Sequence, residues 1–206
     1  MDHSMGNLRS VAKAIEAAGA AVVVTADPHE ISRSDALCVP GQGIFGRCMT
    51  ALGRNGLGEL VGEWVEAERP YLGICLGMQI LFEFGGESGV AGLGLLGGQV
   101  TRLEGDVPIP HIGWNVVTSE DSQASWLADA QKRSVSTDRR TERSTYFYFD
   151  HSYVPRPTDD AVVSGWCEHG ERFAASISTG SITATQFHPE KSGDDGISLL
   201  KGWVNA

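Results

Sequence analysis

Apolar residues recur at helical spacing in two segments of the first third of the chain. Residues 7–18 carry apolar side chains three and four positions apart, between a capping Asn7 and a Gly19 suited to a left-handed C-cap. Residues 57–68 repeat this spacing and stop before Pro70, which cannot continue a helix. The pattern therefore predicts a helix in each segment.

Short β-branched runs alternate with these helices. Residues 20–25 (AAVVVT), 35–40 (DALCVP) and 71–74 read as buried parallel strands that lead into turn or loop residues. In the second half, strand patterns joined by tight turns cover residues 114–118, 146–154, 161–167, 172–178 and 181–187. We predict one α/β domain over residues 1–206, a three-layer sandwich whose mostly parallel central sheet is flanked by helices, with antiparallel hairpins in the C-terminal half.

Composition and charge narrow the classes of partner. The formal net charge is −10, which argues against binding to nucleic acid or to an anionic membrane surface. The chain has no apolar signal core and no apolar stretch of about 20 residues, so we expect a soluble cytoplasmic protein. The four cysteines form no C-x-x-C pair and no His/Cys cluster, so we expect neither a metal nor another cofactor.

A charged segment interrupts the β pattern at residues 119–145. Its acidic and basic side chains are interleaved, and it has few apolar anchors. This composition predicts a solvated surface insertion. A nucleic-acid role for its arginines is the less favoured alternative, because the neighbouring acids offset their charge.

The apolar run of residues 71–74 ends at Cys75, inside Gly73-Ile74-Cys75-Leu76-Gly77. This is the G-x-nucleophile-x-G form of a nucleophile elbow, in which glycines permit a sharp turn from strand to helix. Unpaired N–H groups at the helix start, including that of Leu76, would stabilise a thiolate and a developing oxyanion. The pentapeptide alone fits a buried cysteine between two packing glycines equally well.

A base for the thiol is found late in the chain, in TATQFHPEKS. His188 follows a strand pattern, and residues i and i+2 of an extended stretch point to the same side. Glu190 can therefore accept from one imidazole nitrogen while the other faces the thiol. Taken alone, the two residues fit a surface pair; together with the elbow, they predict a base and its orienting carboxylate.

The elbow and the late His-Pro-Glu resemble the class I (triad) glutamine amidotransferases. The resemblance extends through MGNLRSV, VPGQGIFGRCM, LGICLGMQILFE, GLGLL, PHIGWN, YFYFDHSYV and ATQFHPEKS, which cover nearly the whole chain outside the insertion. Their order is that of one branch, the glutaminase subunits of imidazole glycerol phosphate synthase. PHIGWN and HSYV are specific to this branch, whereas other amidotransferases share the elbow.

The resemblance implies a reaction and a partner. Cys75 would attack the side-chain amide of glutamine to form a thioester, His188 would move the proton to the departing ammonia, and Glu190 would orient His188. Water would then release glutamate. The ammonia would pass to a barrel-shaped cyclase subunit for histidine biosynthesis, so the implied assembly is a heterodimer.

The resemblance also assigns supporting residues. It implies that the PGQG loop supplies an oxyanion donor, and that other side chains hold glutamine or face the cyclase. Read without it, Gln79 is an ordinary polar helix position and Trp114 a strand-end core aromatic. The implied oxyanion and substrate residues are Gly41, Gln42, Gly43, Leu76, Gln79, Glu87, Ser152 and Tyr153, and the implied interface residues are Asn7, Trp114 and Lys191.

The chain departs from the family pattern at its start. Family members begin with a short strand, but only three residues precede Ser4 here, so we expect the first strand to be missing. Gly97 replaces a common proline, and Asp150 stands where an apolar residue is common. Three alternatives stay open beside this glutaminase: a glutaminase of another synthase, a cysteine hydrolase of similar topology, and an inactive binding subunit of the same fold.

Overall fold

The computed structural model describes residues 1–54, 56–86, 89–119 and 143–206, with the backbone alone at residues 143 and 144. Residues 120–142 of the charged insertion lie outside the described residues, so the surface insertion stays a prediction. The described helices are α1 (Leu8–Ala18), α2 (Pro28–Ser32), α3 (Phe45–Arg54), α4 (Leu57–Glu66), α5 (Leu76–Gln79) and α6 (Gly193–Val204). The described strands are β1 (Leu37–Gly41), β2 (Tyr71–Cys75), β3 (Phe82–Gly85), β4 (Val90–Ala91), β5 (Leu96–Arg102), β6 (His111–Ser119), β7 (Arg143–His151), β8 (Tyr153–Pro157), β9 (Val163–His169), β10 (Glu171–Thr179) and β11 (Ile182–Thr185).

The main sheet has seven described strands in the order β1-β2-β11-β10-β9-β6-β7, and a smaller sheet has the order β4-β3-β5-β8. β1, β2 and β11 run parallel, and β1 pairs with β2 so that Gly41 lies opposite Cys75. Because parallel strands end at the same edge, the PGQG loop and the cysteine corner meet there.

Helices cover both faces of the main sheet and bury a separate core on each side. One core holds residues of α2, α3 and α4, such as Val61, against Tyr71 of β2. The other holds residues of α1 and α6, such as Ile15 and Leu199, against the sheet. The α/β class with flanking helices is confirmed, as are helices in the two predicted segments. None of the described helices is long and apolar enough to cross a bilayer.

The main sheet is more mixed than the predicted, mostly parallel one. Its described pairs are parallel only for β1 with β2 and β2 with β11, and the C-terminal strands add antiparallel pairs. β10 and β11 turn through Gly180, which has a left-handed φ of 54°, as the predicted hairpin requires. Links this short can only join antiparallel neighbours, whereas parallel strands need a long crossover.

The strand predicted at residues 20–25 is wrong. These residues are irregular, and Val23 and Val24 are 65% and 49% exposed. β1 is the edge of the sheet, and no described strand lies between it and residues 20–25, so their backbone groups have no ladder to join. A groove of about 940 Å³, lined by α1, residues 20–25 and β1, takes the place of a strand.

The first two residues bridge this groove. The α-amino group of Met1 donates to the Cys38 carbonyl of β1 at 2.7 Å, and the Asp2 N–H donates to the Thr25 carbonyl at 2.7 Å. Burial lowers the pKa of the Met1 amino group, because the charged form is desolvated there. An extended segment added ahead of Met1 would therefore contact both walls of the groove.

Five β-branched apolar residues fused ahead of Met1 are therefore expected to stabilise the protein. Each side chain buried in the groove contributes about 1.5–3 kcal/mol before the cost of ordering it. Since each net kcal/mol is worth about 2–4 °C in a chain of this size, we expect the Tm to rise by about 5 °C. Thermal unfolding followed by circular dichroism measures this, with a Gly/Ser extension of equal length as the control. Equal Tm values for the two extensions would contradict it.

Candidate active site

Cys75 occupies a strained corner between β2 and α5. Its backbone has φ 53° and ψ −106°, a conformation that costs energy for any residue with a Cβ. The residue is 6% exposed and lines a pocket of about 200 Å³ at the carboxyl edge of the parallel strands. This is the geometry of a nucleophile elbow, which presents its side chain to the cleft.

Two glycines make the corner possible. A Cβ on Gly73 would lie 2.5 Å from the carbonyl oxygen of Gly77, and a Cβ on Gly77 would collide with the carbonyl oxygen of Val39. Strand β2, the turn after Cys75 and strand β1 therefore pack backbone against backbone. This close approach requires glycine at both positions, because any side chain would collide with the neighbouring backbone.

The helix after the elbow is one turn long, from Leu76 to Gln79. A full macrodipole does not develop over four residues, so any oxyanion stabilisation depends on single N–H groups. Gln42, Gly43 and Leu76 line the pocket beside Cys75. Gly43 has a left-handed φ of 107°. Gly41 lies just behind, where a Cβ would come 2.9 Å from that of Leu76.

His188 and Glu190 form a buried pair next to the thiol. The imidazole Nδ1 donates to Glu190 Oε1 at 2.8 Å, and the two side chains are 2% and 1% exposed. His188 Nε2 is buried and interacts with Cys75, but no hydrogen bond of full geometry joins it to a described residue. Such contacts are often long before substrate binds, so Nε2 remains the atom placed to exchange a proton with Sγ.

The environment favours a charged His188. Burial lowers its pKa, but the interactions with Cys75 and Glu190 together raise it more, to about 10. Backbone contacts fix the residue as well. The His188 N–H donates to the Tyr148 carbonyl at 2.8 Å, and the Ser192 hydroxyl donates to the His188 carbonyl at 2.7 Å. The imidazole is therefore held from both its ring and its backbone.

The implied substrate residues meet at the same pocket, where they can be described. Gln79, Ser152 and Tyr153 line it, whereas Glu87 lies outside the described residues. The amide nitrogen of Gln79 donates to the Tyr153 carbonyl at 3.0 Å and to Gln186 Oε1 at 2.9 Å. Because both hydrogens of this nitrogen are already donated, the side-chain carbonyl oxygen of Gln79 is the atom that can face a substrate.

None of the implied interface residues lines the pocket. Trp114 is 56% exposed on β6 and packs edge-on against Tyr148 of β7. Lys191 lies 3.6 Å from Asp150 and 5.4 Å from the Tyr148 ring. Asn7 is exposed and caps α1, and α1 contacts the 3-10 turn that carries Lys191. Trp114, Lys191 and their neighbours form one partly apolar face, to which Ile112 and Tyr146 also belong.

Sequence reasoning missed Gln186, His111 and His151. Gln186 is fully buried, and its amide donates to Cys75 Sγ at 3.4 Å. The i, i+2 alternation predicted for this stretch would also have placed Gln186 on the side of His188, so a signal was present. In the structure the strand ends at Thr185, and Glu190 reaches His188 from a 3-10 turn at Pro189–Lys191 instead of from an extended stretch. Nothing in the sequence pattern pairs His111 with His151, because only strand register brings β6 and β7 together. Among the described residues, no cluster of His, Cys, Asp and Glu is placed to hold a metal.

Comparison with known proteins agrees with this geometry. The family model for glutamine amidotransferase class-I matches residues 1–204. The chain belongs to the class-I glutamine amidotransferase family. The imidazole glycerol phosphate synthase subunit HisH of Rhodopirellula baltica is 40% identical over 209 residues, covering 100% of this amidotransferase and 96% of that protein. The same subunit of Mycolicibacterium paratuberculosis is 43% identical over 208 residues, covering 99% and 95%.

Solved structures share the fold of this amidotransferase. A crystal structure of a glutamine amidotransferase gives a TM-score of 0.72 at 19% identity, covering 97% of this chain and 95% of that chain. A putative GMP synthase subunit from Thermoplasma acidophilum gives 0.68 at 18% identity, covering 100% and 90%. These likenesses confirm the α/β fold with flanking helices, and at this identity they say nothing finer.

The His188–Glu190 pair predicts a pH-dependent contribution to the stability of this amidotransferase. The folded pKa of His188, about 10, lies above the unfolded value of about 6.5, so its contribution is full below pH 6.5 and is lost as the pH rises through 10. Glu190→Gln removes part of the interaction and should destabilise more at pH 6 than at pH 10. Urea unfolding at both values measures this, with the exposed Glu16→Gln as the control. An equal loss at both values would contradict the assignment.

Proposed function

We propose that this chain is the glutaminase subunit of an imidazole glycerol phosphate synthase, in which Cys75, His188 and Glu190 hydrolyse glutamine. The observation that carries the proposal is the buried His188–Glu190 pair beside the thiol at the elbow. Its branch is supported by the HisH relatives, about 40% identical over the full chain, whereas the GMP synthase subunit is 18% identical.

The proposed reaction has two stages. Cys75 Sγ attacks the amide carbon of glutamine, His188 donates a proton to the leaving nitrogen, and ammonia departs to leave a glutamyl thioester. Water then attacks the thioester, with His188 as the base, and glutamate leaves as the thiol is restored. The N–H groups of Gly43 and Leu76 are the candidate donors to the oxyanion of each stage. Glu190 keeps the imidazole oriented throughout.

The proposed partner is the cyclase subunit, which receives the ammonia for histidine biosynthesis. The face formed by Ile112, Trp114, Tyr146, Tyr148 and Lys191 suits it, because aromatic residues are enriched at the centres of interfaces. None of the four cysteines is in a disulfide, which supports a place in the reducing cytoplasm.

Two alternatives have less support. A glutaminase of another synthase would use the same triad, but the HisH identity favours the histidine branch. An inactive binding subunit would have no use for a strained Cys75 facing a His–Glu pair. The backbone strain at Cys75 costs stability, which favours a catalytic role.

Glutamate release from glutamine by the purified chain tests the function. We expect release to rise strongly when a cyclase subunit with its ribotide ligand is added, and to fall at least about a thousandfold in Cys75→Ala. Binding of the Cys75→Ala chain to the cyclase should be unchanged, since the cysteine lies in the pocket. A folded complex without activity would favour the inactive binding subunit, whereas activity independent of any cyclase would favour another enzyme.

The interface has its own test. Trp114→Ala should weaken binding to the cyclase about tenfold or more, because a large exposed aromatic in the centre of an interface contributes strongly to affinity. Isothermal titration with the cyclase measures the Kd. Val23→Ala, an exposed apolar change outside this face, serves as the control. An unchanged Kd for Trp114→Ala would place the interface elsewhere.

A further inference from the structure

A series of buried and partly buried hydrogen bonds ends at Cys75 Sγ, and one backbone carbonyl fixes which partner donates in each of them. The Tyr153 carbonyl can only accept. It receives the Nδ1–H of His151 at 3.1 Å and an amide hydrogen of Gln79 at 3.0 Å. Both partners must therefore be donors at these atoms, and the orientation of each side chain follows from that requirement.

Between the Tyr153 carbonyl and the thiol, two glutamines relay the choice of donor and acceptor. The second amide hydrogen of Gln79 is donated to Gln186 Oε1 at 2.9 Å. Since Oε1 of Gln186 accepts there, its other end is the amide nitrogen, and this nitrogen lies 3.4 Å from Cys75 Sγ. Gln186 is 0% exposed and Gln79 is 5% exposed, so water does not compete for these bonds.

On the side of the Tyr153 carbonyl away from the thiol, two histidines continue the series of hydrogen bonds. Nε2 of His151 accepts from Nδ1 of His111 at 3.1 Å, and Nε2 of His111 accepts from the Asn115 amide at 3.2 Å. This arrangement needs both rings neutral. Burial lowers the pKa of His151 to about 3 and that of His111 to about 4, so both rings are neutral at pH 7.

We propose that Gln186 is a further catalytic residue of the proposed glutaminase, whose amide donates to Cys75 Sγ and stabilises the thiolate. Gln79 and the Tyr153 carbonyl, which also accepts from His151, are the positioning groups that hold this amide in its donating orientation. The inference rests on the proposed function for its catalytic meaning, whereas the hydrogen bond itself does not.

Orientation decides the sign of the effect. An amide N–H aimed at sulfur favours the anion, and bonds to charged acceptors are about twice as strong as neutral ones. A flipped Gln186 would aim its carbonyl oxygen at the thiolate and destabilise it. Gln79 opposes this flip, because its own nitrogen would then meet the Gln186 nitrogen, donor against donor. Among the described residues, the other titratable groups near Sγ are His188, with Glu190 behind it, and the pocket-lining Asp150, His151 and Tyr153.

The pH profile of alkylation by iodoacetamide reads the thiolate directly. Burial raises the pKa of the three other cysteines, Cys38, Cys48 and Cys167, to about 12, so they should contribute little to alkylation below pH 9. We expect Gln186→Met to shift the midpoint of this profile upward by about one pH unit and to slow alkylation at pH 7 about tenfold. Gln99→Met, a change at a glutamine of β5 outside the pocket, should leave the profile unchanged.

Two further variants keep the test decisive. Gln186→Glu retains the shape of the side chain but removes the donor, so it should shift the midpoint in the same direction if Gln186→Met does not fold. Gln79→Met frees the Gln186 amide to flip and should also shift the midpoint upward. A midpoint equal to that of the unmodified chain in a folded Gln186 variant overturns the proposal.

Glutaminase activity is measured separately from the alkylation profile. If the proposed function holds, glutamate release by Gln186→Met in complex with the cyclase should fall about tenfold, mostly through kcat. The alkylation profile requires neither glutamine nor cyclase. A shifted midpoint in the Gln186 variants, together with no glutaminase activity in the unmodified chain, would defeat the proposed function and support the hydrogen bond to Sγ. An unshifted midpoint, together with normal glutaminase activity in the unmodified chain, would overturn the role of Gln186 and support the proposed function.

Discussion

The close approach of three backbone segments beneath Cys75 is the constraint on which the site depends. Gly73 and Gly77 leave no room for a Cβ, and the carbonyl of Val39 lies against the turn. This packing holds Cys75 in a conformation that the residue would otherwise avoid. It also fixes the distance from the thiol to β1, and thereby to the PGQG loop. Backbone sterics therefore set the position of Cys75, before any side chain contributes.

Around that fixed sulfur, directional hydrogen bonds decide what each side chain does. The carboxylate of Glu190 accepts from His188 Nδ1, so Nε2 faces the thiol. The Tyr153 carbonyl performs the same task for the amide of Gln79. In both cases an acceptor without a hydrogen settles the direction of a neighbour that could point either way. Burial enforces these orientations, because a buried polar atom that loses its partner cannot hydrogen-bond to water instead.

Much of the site could be predicted because its signals are local. The elbow pentapeptide and the His-Pro-Glu tripeptide each bring together residues within a turn or an extended stretch, whose geometry is known from the chain alone. The helices at residues 7–18 and 57–68 followed from periodicity in the same way. The strand at residues 20–25 was wrong because a strand needs a neighbour, and β1 lies at the edge with no other described strand beside it on that side. Local β propensity could not report that absence.

By itself, the sequence determined the class of the fold from the periodicity of its segments, and it predicted the corner at Cys75 and the pairing of His188 with Glu190 from short local spacings. Only the tertiary structure decided that Gln186 touches the sulfur, that His111 meets His151, and that the sheet is mixed. Those contacts join residues that are distant in the chain, and strand order and register set them. Register shifts of one residue would turn each of these side chains to the other face, and no local pattern records the register.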